Sequence, residues 1–405
     1  MMTSQTTHPA PQSRLSTGVV IAGFCVFLQL YSPQPLLVVF HDYFHASEAA
    51  VSLIVSAATL AVALCSPFVG MLADAVGRKR VIVPCLFALA FITGGCGLAQ
   101  TLPQLVMFRF LAGLCTPGVI AVTLAYISEE SHRGTAASVT ALYVTGTVLG
   151  GLTGRLSSAL MADHFSWRYS FLLLGALTFA GALCTLAFLP RSRKFQKQSR
   201  WRDAVPGLLG HLRNRRLAAT YFTGFCALFC HVGLFTYVNF HLAAPPFSLS
   251  TAALGLIFLV YALGILVTPL AGRLIDRLGH RSGAVAALAF IAAGALLTLS
   301  SRLPIFILGL ALASSGIFII QAAASSHVGR VARGARSSAT GLYVSFYYLG
   351  GSVGATALVI PWKLGGWPAI IAAMLGVEIL ALLGVWRYFE SAGRNTGRFE
   401  GVTLD

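Results

Sequence analysis

Acidic side chains are scarce in this chain, whose 405 residues hold 12 Asp and Glu against 28 Lys and Arg. Charged residues of both signs make up only 10% of the chain, and 57% of it is hydrophobic. A soluble domain carries about 25% charged residues. The apolar residues form runs mostly longer than about 18 residues, the length that indicates transmembrane helices. These features exclude a soluble globular protein and predict an integral membrane protein.

Motifs for ATP use and for zinc hydrolysis are also missing. The sequence has no Walker loop and no HExxH pattern, and its eight cysteines form no CxxC pair. An intramembrane hydrolase or lipid transferase would need a nucleophile paired with a base, or a metal cluster, within the spans. The histidines are dispersed. We therefore predict no cofactor, no metal site and no enzymatic activity, with an intramembrane enzyme or a non-transporting sensor as alternatives from other classes.

The net charge of +16 follows membrane topology and not a nucleic-acid surface. All but five of the 28 basic residues lie in the termini, in loops on one side of the predicted membrane or, for Arg387, at the adjoining end of the last span. The exceptions are Arg109, Arg155, Arg168, Arg302 and Lys363. By the positive-inside rule, both termini are expected in the cytoplasm and the protein in the cytoplasmic (inner) membrane. No nucleic-acid partner is predicted.

Hydrophobic runs predict an all-α protein with twelve transmembrane helices, at 16–40, 49–72, 81–100, 103–127, 135–161, 167–189, 217–240, 250–271, 282–300, 304–327, 338–361 and 367–389. Prolines at 33 and 35 are expected to bend the first span. The domain boundaries follow: a cytoplasmic tail at 1–15, a six-helix bundle at 16–189, a basic cytoplasmic linker at 190–216, a second six-helix bundle at 217–389 and a second cytoplasmic tail at 390–405.

An internal repeat relates the two bundles. Residues 142–144 (LYV) recur at 342–344, and residues 149–151 (LGG) recur at 349–351, both at an offset of 200 residues. Six spans return the chain to its starting side, so the two halves have the same orientation and are pseudo-symmetric. Parallel repeats of this kind are a known plan of secondary transporters.

A short loop motif occurs once in each half: GMLADAVGRKR at 70–80 and GRLIDRLGHR at 272–281. Both resemble the loop 2–3 signature of the major facilitator superfamily, Gly-x-x-x-Asp-Arg-x-Gly-Arg-Arg. Ala75 replaces the arginine in the first copy, whereas Arg277 keeps it in the second. The chain most resembles the twelve-helix bacterial branch of proton-coupled drug and sugar efflux proteins, which includes arabinose-efflux-permease-like proteins.

This resemblance implies export of an amphipathic drug or metabolite by alternating access and proton antiport, with the proton gradient as the energy source. Sugar efflux and an uncoupled facilitator are the alternatives. The partners expected are a small-molecule substrate, protons and the lipid bilayer, and we expect a monomer.

The resemblance also implies that the loop motifs form a conformational latch between the halves on the cytoplasmic side. Arg78 and Lys79 can reach acids at the inner end of span 4, whereas the matching end of span 10 has none. An asymmetric latch follows, and the alternative is that the loops only satisfy the positive-inside rule. The predicted latch residues are Gly70, Asp74, Gly77, Arg78, Lys79, Glu129, Glu130, Gly272, Asp276, Arg277, Gly279 and Arg281.

Two arginines lie inside predicted spans, where a charge usually faces the bundle interior. Arg109 resembles the span 4 arginine of the proton antiporters, which implies a role in proton transfer or substrate binding; a snorkelling structural arginine is the alternative. Arg155 replaces the final glycine of a segment that partly resembles the span 5 antiporter signature. It is expected to pair with Asp163 or Asp42, or to be an interface arginine.

Spans 1, 4, 7 and 10 line the cavity in the superfamily, so polar residues on them and on spans 5 and 11 are candidates for the substrate or proton pathway. His231 has an ordinary pKa close to physiological pH, although a packing histidine is an alternative reading. Glu378 lies in the middle of span 12, which is peripheral in the superfamily. The predicted pathway residues are Gln29, Gln34, Arg109, His231, Tyr237, Asn239, Gln321, Tyr343 and Tyr347.

Overall fold

The computed structural model describes residues 12–131, 135–190, 192, 210–263, 267, 270, 275, 277, 279–332 and 336–389. Throughout these ranges the regular structure is helical and contains no strand. The predicted all-α membrane fold is therefore confirmed. The predictions made for most of both tails, for most of the linker at 190–216, and for Gly272 and Asp276 fall outside the described residues.

The described part of the first half contains seven helices and one short 3₁₀ turn. They are α1 (Gln12–Leu30), the 3₁₀ turn (Gln34–Leu36), α2 (Leu37–Phe44), α3 (Glu48–Val76), α4 (Arg78–Cys96), α5 (Leu102–Glu130), α6 (Ala136–His164) and α7 (Trp167–Phe188).

The described part of the second half contains six helices and another 3₁₀ turn. They are α8 (Arg215–Ala243), α9 (Thr251–Ile257), the 3₁₀ turn (Phe258–Tyr261), α10 (His280–Leu297), α11 (Leu303–Val331), α12 (Arg336–Ala357) and α13 (Val359–Tyr388). Within α13 the backbone leaves the helical region at Gly365 and Gly366, which separates the end of the eleventh predicted span from the start of the twelfth.

Ten helical segments in the described residues are long and apolar enough to cross a membrane, with α1 and α2 counted as one segment. The other two predicted spans correspond to α12, which carries more polar residues, and to the short apolar stretch Thr251–Tyr261. The rest of that eighth span lies largely outside the described residues. The chain is a multi-pass integral membrane protein.

The first span is broken in its middle. Pro33 has no N–H to donate to Gln29 O, and Pro35 has none for Tyr31 O. The Gln34 N–H donates to Tyr31 O at 3.1 Å, so Leu30 O also lacks its helical partner. The carbonyls of Gln29 and Leu30 therefore point out of the end of α1 within the bundle, where lipid offers them no hydrogen bond.

The two halves repeat the same close helix contacts. In the first half α6 packs on α1, and a side chain at Gly150 or Gly154 would overlap a backbone carbonyl of α1. In the second half α12 packs on α8, and a side chain at Gly350 or Gly354 would overlap a carbonyl of α8. Small residues let helix backbones approach in this way in membranes. The glycines of the sequence repeat thus mark equivalent contacts.

The halves join mainly through α3 on α12 and through α9 on α6. We call the face of the bundle with Gln12 and Phe389 the terminus side, and the opposite face the far side. Side-chain contacts between the halves lie towards the far side: Ser56 Oγ is 2.8 Å from Ser352 Oγ, and the Ala252 N–H donates to Asp163 Oδ1 at 3.3 Å. The far ends of the two halves are therefore held together in this structure.

Candidate functional site

The first loop motif forms a compact ion-pair network. Gly77, at φ 102° and ψ 141°, separates α3 from α4 and places Arg78 at the start of α4. Arg78 Nη2 lies 2.6 Å from Asp74 Oδ1 and 2.6 Å from Glu129 Oε1, and Arg78 Nε donates to Glu129 Oε2 at 3.2 Å. The two-pronged pairing fixes the guanidinium orientation, and it ties α3, α4 and α5 together.

Lys79 extends this network to a fourth helix. Its Nζ donates to Leu186 O at 2.7 Å and to Leu189 O at 2.5 Å, at the C-terminal end of α7. A cation there satisfies terminal carbonyls and interacts favourably with the helix dipole. All four helices belong to the first half. Asp74, Arg78 and Glu129 make no ion pair or hydrogen bond to the described part of the second half, so the predicted latch role remains a prediction.

The second loop motif is held differently. Gly279, at φ 86° and ψ 158°, precedes α10 as Gly77 precedes α4. Arg277 is exposed, and the Arg281 guanidinium lies 3.8 Å from the centre of the Trp386 ring. His280 Nε2 is 2.9 Å from Ser326 Oγ. The partners seen for this segment are thus a hydroxyl and an aromatic ring, whereas Arg78 pairs with two carboxylates. Asp276 lies outside the described residues, and the asymmetric latch stays a prediction.

Arg109 on α5 closes the break in the first span. It is fully buried (0% exposed). Its Nη1 donates to Gln29 O at 3.0 Å and to Gln29 Oε1 at 3.1 Å, and its Nη2 donates to Leu30 O. No carboxylate of the described residues pairs with it. Arg109 thus donates to the two carbonyls that the break leaves without a helical N–H partner, and Ser32 Oγ also donates to Gln29 O at 3.1 Å. Gln29, a predicted pathway residue, helps to orient Arg109.

Arg155 on α6 lies next to that break and is also buried (4% exposed). Its Nε donates to Gln34 Oε1 at 3.0 Å, and its Nη1 donates to Gly151 O at 3.0 Å. The expected pairing with Asp163 or Asp42 is wrong. Asp163 instead accepts the Ala252 N–H, and no acid of the described residues pairs with Arg155.

Aromatic rings from both halves surround the Arg155 guanidinium. Its central carbon lies 5.0 Å from the Tyr31 ring of the first half, and 5.1 Å and 4.7 Å from the Phe258 and Tyr261 rings of the second half. Cations are attracted to the faces of aromatic rings at such distances. The Arg155 guanidinium of the first half therefore contacts aromatic ring faces of the second half.

His231 continues this arrangement into α8. Its ring stacks on Tyr261 with centroids 4.9 Å apart and also contacts Phe235 and Phe318. Its Nδ1 is buried and has no hydrogen-bond partner among the described residues. Arg155, Tyr261 and His231 thus form a continuous row between the halves.

The other predicted pathway residues make contacts of their own. On α8, Tyr237 donates to Ala355 O at 3.2 Å and Asn239 Nδ2 donates to Phe235 O at 2.8 Å, both within the second half. Tyr343 and Tyr347 stack on α12 with ring centroids 5.9 Å apart. Gln321 is half-buried on α11. Tyr237 and Asn239 therefore hydrogen-bond within the second half, whereas Gln34 and His231 contact the Arg155 row directly.

Residues 350–354 (GGSVG) match the GxSxG pattern of serine hydrolases. That pattern needs a sharp turn between a strand and a helix. Here the segment lies inside α12, and Ser352 Oγ is bonded to Ser56 Oγ. The described residues also include no group of three His, Cys, Asp or Glu side chains that could hold a metal ion.

Sequence reasoning missed the contacts between the Arg155 guanidinium and the aromatic rings around it. Tyr31 stands out in the sequence only as an aromatic residue on a likely cavity helix, and Phe258 and Tyr261 are not predicted, because aromatic side chains in a span are usually packing residues. One signal was available: the internal repeat places Ala355 opposite Arg155, so the repeated helix packing does not require an arginine.

We predict that Arg109→Met destabilises the protein, because two buried acceptors, Leu30 O and Gln29 Oε1, lose the donor that Arg109 supplies, whereas Gln29 O keeps the Ser32 hydroxyl. A buried unsatisfied group costs about 1–3 kcal/mol, so we expect a loss of at least about 2 kcal/mol. Thermal melting of the detergent-purified protein measures the loss.

Arg168→Met is the matched control. Arg168 Nη1 also donates to two carbonyls beyond a helix end, Gly97 O at 3.0 Å and Ala99 O at 2.7 Å. It is only half-buried, so water can replace it. Equal losses of stability in the two variants would contradict the role of Arg109 as the buried donor at the end of α1.

Comparison with known proteins agrees with this architecture. The family model of the Major Facilitator Superfamily matches residues 19–266 and 241–402. The inner membrane transport protein YnfM of Escherichia coli (strain K12) is 34% identical over 373 residues, which cover 91% of this chain and 89% of YnfM. The uncharacterized MFS-type transporter YybF of Bacillus subtilis (strain 168) is 32% identical over 370 residues, which cover 91% of this chain and 92% of YybF.

Among solved structures, the nucleoside transporter NupG (D323A mutant) has the same fold, with a TM-score of 0.76 at 15% identity over 93% of this chain and 100% of NupG. The likeness to NupG supports the fold alone, whereas the family match and the two relatives support the type of protein. The chain therefore belongs to the major facilitator superfamily, and it is a membrane transporter, not an enzyme.

Proposed function

We propose that this protein exports a small amphipathic molecule across the cytoplasmic membrane by alternating access, in exchange for protons. The observation that carries the proposal is the Arg155 row, in which polar and aromatic side chains of both halves meet inside the bundle. A group bound there touches both halves at once. Rocking of one half against the other would then expose it to either side of the membrane.

The side of the membrane from which substrate would enter in this conformation follows from the topology we propose. The basic residues place the terminus side in the cytoplasm, so the far side faces outwards. Contacts such as Ser56 with Ser352 then hold the outer ends together. In this conformation the substrate would enter from the cytoplasm, which is the loading step of an exporter.

The loop network fits the same cycle. With the outer ends together, the partners that Asp74, Arg78 and Glu129 have among the described residues all lie in their own half. When the cytoplasmic ends approach each other, the carboxylate of Asp74, which is partly exposed, becomes available to a helix end of the second half. The network would then join the two halves when the cytoplasmic ends are together, and it would hold α3, α4 and α5 of the first half together when the outer ends are together.

Proton coupling needs a titratable group inside the bundle. Glu378 on α13 is the one acid in the middle of a described span. It is buried (5% exposed), and neither carboxyl oxygen has a hydrogen-bond partner among the described residues. His231 is the second candidate. Because Glu378 is the one acid in the middle of a described span that could carry a proton, we keep an alternative function: an uncoupled facilitator or a sugar efflux protein.

Susceptibility profiling of an overexpressing strain would identify an exported compound, and flux of that compound in proteoliposomes tests the mechanism. We expect an imposed proton gradient to drive the compound against its own concentration gradient. We also expect movement of the compound to dissipate the proton gradient. Glu378→Gln should abolish uphill movement and keep downhill exchange. Movement that never exceeds equilibrium in the wild type would reject antiport, and absence of any flux would reject transport.

We predict that Asp74→Asn leaves thermal stability almost unchanged, because Glu129 still pairs with Arg78 through two contacts. We expect the transport rate in proteoliposomes to fall at least about tenfold, which corresponds to a loss of about 1.4 kcal/mol in the rate-limiting step. Asp276→Asn should have a smaller effect. A wild-type rate in Asp74→Asn, or the reverse order of the two variants, would contradict an asymmetric latch.

A further inference from the structure

We propose that the Arg155 row is a binding site for an organic monoanion, whose negative group is held by the Arg155 guanidinium and whose apolar body lies on the surrounding aromatic rings. The inference rests on the proposed transport function, because it names the class of substrate for that same site. It differs from a general amphipathic site by requiring a negative charge.

Charge balance is the first observation. Arg155 carries a buried positive charge in a span, and its hydrogen-bond acceptors, Gln34 Oε1 and Gly151 O, are both neutral. No acid of the described residues pairs with it. A charge inside a membrane protein is expensive, and it pairs with another charge or with backbone carbonyls; Arg155 has one carbonyl partner and no charged one in the described part of the chain. An anionic substrate supplies the missing charge.

The internal repeat shows that Arg155 is not needed for packing. Gly154 and Gly354 make equivalent contacts with α1 and α8. The residue after each glycine differs, however: arginine in the first half and alanine in the second. The equivalent helix contact forms without a cation, so the arginine at this position is available for a function that the second half does not perform.

Arg109 is a different case, although it is also a buried arginine. Its guanidinium donates to the C-terminal carbonyls of α1, where the helix dipole contributes about half a negative charge. Its charge is therefore compensated by the fold. One uncompensated cation remains in the row, which favours a substrate with a single negative charge.

Unused hydrogen-bonding atoms surround the cation. Gln34 Nε2 and the Tyr261 hydroxyl are buried, and neither has a hydrogen-bond partner among the described residues. Both atoms are donors, and both side chains contact Arg155 directly. A carboxylate or sulfonate has enough lone pairs to accept from Arg155, Gln34 and Tyr261 together. A neutral amide, with the two lone pairs of one carbonyl oxygen, would leave at least one of these donors unpaired, and the Arg155 charge would repel a cation.

The aromatic rings indicate the rest of the ligand. Tyr31 comes from the first half, and Phe258 and Tyr261 come from the second. An apolar, preferably aromatic, body can replace the guanidinium on these ring faces when the anion draws the guanidinium to itself. The same anion would then loosen the cation–π contacts between the halves, which links binding to movement of the halves.

Binding to the full-length purified protein tests the proposal with three probes of the same shape: 2-naphthoate, 2-naphthamide and 2-naphthylmethylammonium. Calorimetry and thermal stabilisation measure affinity without requiring transport. For the wild type we expect the carboxylate to bind at least about tenfold more tightly than either analogue, a difference of about 1.4 kcal/mol.

Arg155→Gln should weaken binding of the carboxylate at least about tenfold and change binding of the amide by less than about twofold. Arg155→Lys keeps the charge and should keep the preference for the carboxylate. Arg168→Gln is the matched control, because Arg168 also stacks on aromatic rings, those of Tyr43 and Trp167, but outside the row. It should leave all three affinities unchanged.

Tyr261→Phe provides a second variant if Arg155→Gln does not fold, since it removes only the unpaired hydroxyl. It should weaken the carboxylate several-fold and leave the amide unchanged. The proposal is overturned if the wild type does not bind the carboxylate, binds an analogue equally well, or keeps its preference in Arg155→Gln or Tyr261→Phe. Carboxylate binding without flux in proteoliposomes would reject the transport function and keep the anion site.

Discussion

The bond between the Arg109 guanidinium and the last carbonyls of α1 is the interaction on which the interior of this protein depends. Two prolines interrupt the first span where lipid and water cannot supply donors. Arg109 supplies them from α5. With the break stabilised, the chain turns through Tyr31 and Gln34, and both side chains reach Arg155 on α6. One structural arginine thus makes a second arginine available for ligand recognition.

The two halves have diverged from a common plan at a few charged positions. The glycine contacts of α6 with α1 and of α12 with α8 are equivalent. Among the described residues the buried arginines, Arg78, Arg109 and Arg155, all lie in the first half. The second half supplies aromatic rings and His231 to the shared row. A scaffold built from repeated packing therefore has an asymmetric interior, as a site that recognises one charged end of a ligand requires.

Sequence alone could predict the helices and their repeat, because long apolar runs and repeated glycines report directly on membrane burial and close packing. It also predicted that Arg78 can reach Glu129, since the family signature fixes both helix ends. It could not predict the partners of Arg155. The expected acids, Asp163 and Asp42, were chosen by charge, whereas the actual partners are a glutamine and three rings brought together by the helix break and by the second half. Such contacts depend on tertiary geometry and leave no local pattern.

Movement of one half against the other is the central claim, and cross-linking the halves tests it most directly. Ser56 and Ser352 have hydroxyl oxygens 2.8 Å apart across the interface. In a background without native cysteines, oxidation of Ser56→Cys/Ser352→Cys should stop flux of the exported compound in proteoliposomes, and reduction should restore it. The same treatment of Thr220→Cys/His327→Cys, a pair within the second half with side-chain atoms 2.8 Å apart, should leave flux unchanged. Full flux through the protein with its halves cross-linked would contradict the account.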